Sequence, residues 1–107
     1  MKNMASTYKI EYTQQFKQEA RNIYEYIASE LDSPKSARRK LERIVKAVNA
    51  LVSFPKMHKV RKRDTQGREF RSFPVEDYVV VYLVDDKKYV VNVIHVLHSK
   101  RNIDDII

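Results

Sequence analysis

Two histidines and two cations stand together at the end of the last apolar segment. Between Tyr89 and His98 seven residues are apolar or aromatic, and His95 and His98 are two of the other three. Lys100 and Arg101 follow shortly after. An imidazole that titrates near neutrality can act as an acid or a base, and nearby cations can hold a phosphate. We therefore expect His98, the histidine nearest the cations, to line a functional cleft.

The spacing of the histidines argues against a metal site. Side chains on an extended strand alternate between its faces, so His95 and His98 should point to opposite sides of a sheet. A zinc site needs several ligands at fixed spacing, and His58 alone supplies no such pattern. The chain has no cysteine, which excludes disulfides and thiolate ligands. We expect no metal or cofactor, and we expect one of the paired histidines to be a hydrogen-bonded core residue.

The densest run of positive charge lies between Lys56 and Arg71. It holds seven lysines and arginines against two acids. A cationic surface here would bind phosphates without reading bases, whereas the alternative is a solvated loop. Because Arg68 and Arg71 are predicted to lie on a strand, we favour the functional interpretation. The residues expected to bind a target or nucleic acid are Lys59, Arg61, Arg68, Arg71, Lys100 and Arg101.

Charge and glycine content narrow the class of protein. The chain has 21 lysines and arginines against 14 acids, a net charge of +7. This balance favours a polyanionic partner such as nucleic acid, a ribosome or an acidic protein, although charge also serves solubility. A single glycine excludes glycine-rich phosphate loops. No segment is apolar enough for a membrane helix and the first residues lack a signal-peptide pattern, so we expect one cytoplasmic domain over residues 1–107.

Hydrophobic periodicity predicts the elements that position these residues. Residues 7–12 alternate as a short strand, and Thr13 is the predicted N-cap of a helix that runs to about Leu31. Ser33 followed by Pro34 predicts the start of a second helix, which ends at Phe54-Pro55. Three strands follow, over residues 69–74, 78–84 and 89–98. The predicted fold is α+β, with the order β-α-α-β-β-β and a helical hairpin packed on a twisted antiparallel sheet.

Four short segments on these elements resemble one protein family. In chain order they are IYEYIA, the helix start Ser33-Pro34-x-x-Ala37, the strand Tyr78-x-x-x-Tyr82 and the ending Val96-Leu97-His98-x-x-Arg101. Together they are similar to the RelE/ParE superfamily of bacterial toxins from type II toxin–antitoxin modules, over almost the whole chain. The resemblance implies a toxin that inhibits growth and is held inactive by a cognate antitoxin. It also implies that the toxin–antitoxin complex represses its own operon at operator DNA.

One branch of the superfamily cleaves mRNA on the ribosome. RelE-like members often carry an arginine after the first tyrosine of the Tyr-x-x-x-Tyr strand, where this chain has Val79. Some use a tyrosine near the C-terminus, and residues 100–107 contain no aromatic residue. Cleavage needs a group that activates the ribose 2′-hydroxyl and cations that stabilise the phosphorane. The residues that could supply them are His98 and Arg71 as catalytic groups, with Lys59 and Arg61.

The other branch, ParE-like, poisons DNA gyrase. The stretch Arg71-x-x-Pro74-Val75 and the ending VLHSKRN are more similar to this branch, which we favour. A third and unrelated interpretation is a small basic RNA-binding module whose tyrosines at positions 78, 82 and 89 stack on bases. For either toxin branch we expect one groove, in which His98 and Arg101 meet Arg71 and the basic run. An acidic antitoxin tail could cover the same surface.

Overall fold

The computed structural model, which describes residues 7–107, is a five-stranded sheet with two long helices on one face. Its elements are β1 (Lys9–Tyr12), α1 (Gln14–Glu25), α2 (Pro34–Asn49), β2 (Val60–Arg63), β3 (Glu69–Val75), β4 (Tyr78–Asp85), β5 (Val90–His98) and α3 (Ile103–Ile106). A π turn, Tyr26–Glu30, extends α1, and a 3-10 turn, Ala50–Val52, ends α2. No helix in residues 7–107 is long and apolar enough to cross a membrane.

Both predicted helix starts are confirmed. The hydroxyl of Thr13 accepts a hydrogen bond of 3.1 Å from the N–H of Phe16, and the hydroxyl of Ser33 accepts one of 3.3 Å from Ser36. Such caps satisfy N–H groups that have no partner within the helix. Pro34 lies in the first turn of α2, where a missing N–H costs nothing.

The predicted fold class is confirmed, with two differences in the sheet. The strand order is β1-β5-β4-β3-β2, and β1 runs parallel to β5 while the other pairs are antiparallel. A parallel pair needs a long connection, which the helices and the intervening strands supply. The basic run contributes the fifth strand, β2. Its sequence VRKR has no apolar alternation, but an edge strand tolerates charged side chains on both faces.

The sheet buries apolar side chains on both faces. On the helix side, Val80, Tyr82 and Val91 of the sheet pack against residues such as Phe16 and Ile44 of the two helices. On the other face the buried side chains are Phe70, Val79, Val81 and Leu97, with Ile103 of α3 packed onto them. The interior position predicted for β4 is therefore confirmed.

A bulge interrupts β5 near its middle. Val93 lies opposite Tyr82 and His95 lies opposite Val81, so Ile94 is an additional residue without a partner on β4. A bulge shifts the alternation of all following side chains. As a result Val93 and Val96, three residues apart, both face the helices. The bulge lies where β1 ends, and the hydroxyl of Thr13 donates to the carbonyl of Ile94 at 3.0 Å.

Candidate functional site

The end of β5 opens into a cleft of about 790 Å³ between the sheet, α1 and the start of α2. We call it the His98 cleft. Among the side chains that line it are His98, Tyr78, Arg101, Lys40, Asp77, Glu19 and Tyr26. The end of the last strand thus reaches a cleft, and a function for this cleft stays a prediction.

The ring of His98 is fixed by its neighbours. It meets the ring of Tyr78 edge to face, with centroids 5.4 Å apart. Its Nδ1 accepts a hydrogen bond of 3.1 Å from the backbone N–H of Lys100. A neutral imidazole with an accepting Nδ1 carries its proton on Nε2. Nε2 is therefore the nitrogen of His98 that can donate to a ligand, and Arg101 lines the same cleft from an exposed position.

Lys40 brings a positive charge to the wall of the His98 cleft but is already paired. Its side chain is 17% exposed, and its Nζ contacts Glu76 and lies 3.0 Å from Asp77. Desolvation lowers the pKa of Lys40, but its hydrogen bonds to the carboxylates of Glu76 and Asp77 outweigh this effect, and the pKa is raised. The same hydrogen bond lowers the pKa of Asp77. Lys40 therefore links α2 to the turn between β3 and β4.

His95 is the structural histidine of the pair. Its Nδ1 lies 3.0 Å from the carboxylate of Glu19 on α1, and both side chains are largely buried. Glu19 also accepts a hydrogen bond of 3.0 Å from the N–H of Val96. His95 lies opposite Val81 and His98 opposite Tyr78, which belong to different faces of the sheet. The predicted alternation is confirmed, and His95 is the hydrogen-bonded histidine of the pair, although it is partly rather than fully buried.

Arg71 lies in a second cleft, of about 550 Å³, at the other end of the sheet. We call it the Arg71 cleft. The side chain of Arg71 is 13% exposed, and its guanidinium donates to the carbonyl of His58 at 2.7 Å. It also reaches Glu69 at 3.4 Å. These contacts hold the segment between α2 and β2 against the sheet, so most of its donors are used within the protein.

The structure does not bring the predicted groove together. Arg71 lies opposite Tyr82 on β4, whereas His98 lies opposite Tyr78. Four residues along β4 separate these positions, a distance on the order of 13 Å. The two residues also lie on different strands, β3 and β5, on either side of β4. No residue lines both clefts. The expectation that His98 and Arg101 meet Arg71 and the basic run is therefore wrong, because residues on different strands meet only where the register places them side by side.

The other predicted binding residues divide into paired and exposed ones. Arg61 Nε donates to Asp104 at 2.8 Å, and Arg68 Nε donates to Asp64 at 2.6 Å. Lys59, Lys100 and Arg101 are exposed and form no ion pair within residues 7–107. Of the six predicted binding residues, these last three are the open cations of the kind that a phosphate or an acidic side chain meets first.

Sequence analysis missed several residues of the His98 cleft. Glu19, Lys40 and Asp77 line it outside any motif, whereas Tyr26 belongs to the IYEYIA segment but was assigned no role. Lys40 also had a positional signal, because it falls at helical spacing between Ala37 and Ile44 of the buried stripe. Of the three tyrosines expected to stack on bases, those at 78 and 82 are buried, whereas the tyrosine at 89 is exposed. In the part of the chain that the structure describes, no three acidic or histidine side chains gather as a metal site.

Solved structures of small toxins share this architecture. A chain of the chromosomal ParDE toxin–antitoxin system of P. aeruginosa matches with a TM-score of 0.70 at 14% identity, over 89% of this chain and 99% of that one. A chain of the archaeal RelE–RelB complex of Pyrococcus horikoshii matches with a TM-score of 0.62 at 18% identity, over 89% and 98%. The isolated E. coli RelE toxin matches with a TM-score of 0.60 at 20% identity, over 94% and 99%. The fold is therefore that of the toxins of toxin–antitoxin pairs.

The sequence identifies the family within this class. Residues 10–103 match the model described as ParE toxin of type II toxin–antitoxin system, parDE. The chain belongs to this family of type II toxins, and the RelE/ParE resemblance is confirmed. No curated protein sequence matches the chain significantly. Membership of the family leaves the unrelated RNA-binding module of ribosomal type without support.

Proposed function

We propose that this protein inhibits bacterial growth by binding DNA gyrase, and that a cognate antitoxin neutralises it. The family model supports the ParE branch, for which gyrase is the expected target. The observation that carries the choice of target is the separation of His98 from Arg71. The two residues that a nuclease of this sequence would use lie in different clefts, and Arg71 donates to the backbone carbonyl of His58.

The sheet face opposite the helices also favours binding over cleavage. Its middle carries Val79, Val81 and Leu97, with Ile103 of α3 packed over them. General acid–base catalysis needs a titratable group within hydrogen-bonding distance of the reacting proton, and phosphoryl transfer needs cations beside it. Apolar side chains supply neither. On this proposal His98 and Arg101 are contact residues for gyrase.

Ribosome-dependent mRNA cleavage is the second candidate, and the His98 cleft is the observation in its favour. There a fixed imidazole, whose Nε2 has no hydrogen-bond partner among residues 7–107, lies in the same cleft as the exposed Arg101. An imidazole can activate the ribose 2′-hydroxyl for attack on the phosphate, and a guanidinium can stabilise the phosphorane that forms. The RelE structures from two organisms are similar in fold to this chain.

A cognate antitoxin is the proposed partner. The solved relatives from P. horikoshii and E. coli include complexes of a RelE toxin with its RelB antitoxin. The net charge of +7 suits an acidic antitoxin segment, because opposite charges accelerate association. We further propose that the toxin–antitoxin complex binds operator DNA.

A short pulse of expression in a bacterial host tests the target. New mRNA 5′ ends are mapped across the genome while the DNA-damage response is scored. Intact transcripts with strong damage induction support gyrase. New ends inside translated codons with a quiet damage response would replace gyrase by the ribosome. The direct measurement is inhibition of gyrase supercoiling by the purified wild-type protein.

A further inference from the structure

Exposed apolar side chains gather at the end of the sheet farthest from the His98 cleft. Phe54 is 67% exposed, Met57 54% and Tyr89 50%. The ring of Tyr8 lies 5.3 Å from that of Tyr89, and Tyr8, Phe54 and Met57 line one shallow cleft. We call these four residues the aromatic patch. Single exposed apolar residues are ordinary, but a contiguous group marks an interaction surface.

The backbone of Tyr89 gives a second reason to assign a role to this surface. Its φ is +55°, a left-handed conformation that suits glycine or asparagine in a turn and disfavours a bulky residue. Half of the side chain remains exposed, so burial does not offset the strain. Strained conformations of this kind persist where the side chain they present has a function.

Lysines adjoin the residues of the aromatic patch along the chain. Lys9 follows Tyr8, Lys56 precedes Met57 and lines the same shallow cleft, and the exposed pair Lys87 and Lys88 precedes Tyr89. We call these four lysines the lysine rim. Chains that bind nucleic acid without reading its sequence combine aromatic and cationic side chains in this way.

The acids of this region are occupied. Asp86 accepts from Lys56 at 2.5 Å and from the hydroxyl of Tyr8 at 2.7 Å. Asp85 accepts from the backbone N–H groups of Lys87 and Lys88. The side chains of Lys87 and Lys88 form no ion pair within the described residues 7–107. Lys9 lies 3.7 Å from Glu11 and Lys56 is paired with Asp86, so Lys87 and Lys88 supply the open positive charge beside the apolar centre.

We propose that the aromatic patch and the lysine rim bind single-stranded nucleic acid. Bases would stack on the exposed rings of Phe54 and Tyr89 while phosphates contact the lysines. A duplex hides the faces of its bases and fits such a surface less well. A second copy of this chain, with its net charge of +7, would be repelled. The inference goes beyond the proposed function, because it requires neither gyrase nor the ribosome as target.

An acidic peptide is the competing occupant. A peptide anchor is held best in a pocket that encloses it. Here the rings project into solvent, since two thirds of Phe54 is exposed. This exposure favours stacking by a flat base.

Fluorescence anisotropy with labelled oligonucleotides tests the proposal on the full chain. A 5′-labelled oligothymidine of about twelve nucleotides should bind more tightly than a duplex of the same length, since single strands leave the base faces free. Phe54→Ala with Tyr89→Gly should weaken oligothymidine binding at least about fivefold per ring, from the usual effect of removing one stacking ring. Glycine at position 89 keeps the left-handed turn. Val45→Ala, an exposed apolar residue on α2, should leave binding unchanged.

The salt dependence tests the lysine rim separately. Each phosphate contact to a single strand contributes about 0.7 to the slope of log affinity against log salt. Lys87→Ala with Lys88→Ala should therefore lower the slope by about 1.4. The control pair Lys17→Ala with Lys35→Ala, exposed lysines on the helices, should leave it unchanged.

Several outcomes overturn the proposal. The first is equal affinity for the duplex and the single strand. The second is an equal loss of oligothymidine affinity in Val45→Ala and in the patch variant, which carries Phe54→Ala and Tyr89→Gly. The third is undiminished oligothymidine binding by a patch variant whose thermal unfolding is normal. If the patch variant loses binding to a synthetic Glu-rich peptide but still binds oligothymidine, the aromatic patch is assigned to an acidic peptide instead. Growth inhibition by the same variants separates the two proposals. If the wild type inhibits growth but does not bind oligothymidine, the toxin assignment stands and this inference fails.

Discussion

At the scale of single residues, the sequence predicted the same role for His98 and Arg71, but the structure gives them different surroundings. Both were expected to meet a target. His98 is held by Lys100 and Tyr78 and keeps Nε2 for a ligand, whereas Arg71 gives its donors to the chain itself. A substitution at either position should therefore change a different measured quantity.

We expect His98→Ala to weaken inhibition of gyrase several-fold without abolishing it. Loss of one contact at an interface usually costs about 1–2 kcal/mol, whereas loss of a general base costs about 10²–10⁴ in rate. Supercoiling assays over a range of toxin concentrations measure the effect, and His98→Gln is the matched variant that keeps an acceptor for Lys100. Loss of codon-specific mRNA cleavage by both variants, with gyrase unaffected, would assign His98 to catalysis.

Arg71→Ala should destabilise the fold by about 1–3 kcal/mol, because it leaves the partly buried carbonyl of His58 without its donor. Urea unfolding followed by circular dichroism measures this. Arg101→Ala, which removes an exposed guanidinium of the same type, should change stability by no more than about 0.5 kcal/mol. If the Arg71→Ala protein is as stable as the wild type but binds the target less well, Arg71 contacts the target.

At the scale of elements, the ends of strands and helices decide where the clefts open. β1 pairs with β5 only as far as Val93, and α1 then covers the remaining edge through Glu19. Lys40 makes the corresponding link from α2 to the turn between β3 and β4. These two links set the walls of the His98 cleft.

Glu19→Ala should lower the free energy of unfolding by about 1–3 kcal/mol, since the N–H of Val96 and the ring of His95 lose their shared acceptor. Glu19→Gln keeps one acceptor oxygen and should cost less. Urea denaturation of the two variants side by side gives the comparison. Equal losses would mean that the charge of Glu19, rather than its hydrogen bonds, stabilises this edge.

The link at Lys40 should make stability depend on pH in the acid range. Hydrogen bonds from Lys40 lower the folded-state pKa values of Glu76 and Asp77 below those of the unfolded chain. Their contribution is present above the unfolded values and is lost as pH falls through the folded ones, so stability should decline below about pH 4. Thermal unfolding across pH should show a shallower decline for Lys40→Ala than for the wild type. Lys35→Ala, exposed on the same helix, is the control and should keep the wild-type profile.

The sequence predicted those elements whose signals are local. Ser33 and Pro34 start α2 through contacts within one turn, and the apolar run of β4 indicates an interior strand wherever the sheet lies. β2 has no such signal, because charged residues at an edge obey no alternation. The contact of Arg71 with His58 depends on the path of the chain between α2 and β2, which no local pattern determines.

At the scale of the whole molecule, the His98 cleft and the Arg71 cleft lie at opposite ends of the sheet in a protein with a net charge of +7. β4 runs from Tyr78 beside the His98 cleft to Asp85 beside the Arg71 cleft, roughly 23 Å at the usual rise of a strand. Arg61 and Lys62 of β2 hold the last residues of the chain over the remaining face, through Asp104 and the backbone oxygen of Ile107. A partner that covers one cleft leaves the other open.

Association with the antitoxin should slow as ionic strength rises, because long-range attraction to a net charge of +7 is screened by salt. Stopped-flow mixing of toxin and antitoxin between about 50 and 300 mM salt, a range over which the Debye length falls to about 6 Å, measures the association rate. Dissociation should change much less. An association rate that does not vary with salt would indicate that apolar contact, not charge, guides the encounter.

The carboxylate of Glu19 has a consequence for how the molecule moves. The N–H of Val96 lies on a strand edge that β1 does not reach, yet it is bonded to a side chain of α1. An amide on an open edge exchanges its hydrogen with solvent quickly, whereas this one should exchange only when the helix lifts from the sheet. The deuterium label of a single amide would thus report each opening of the wall beside His98.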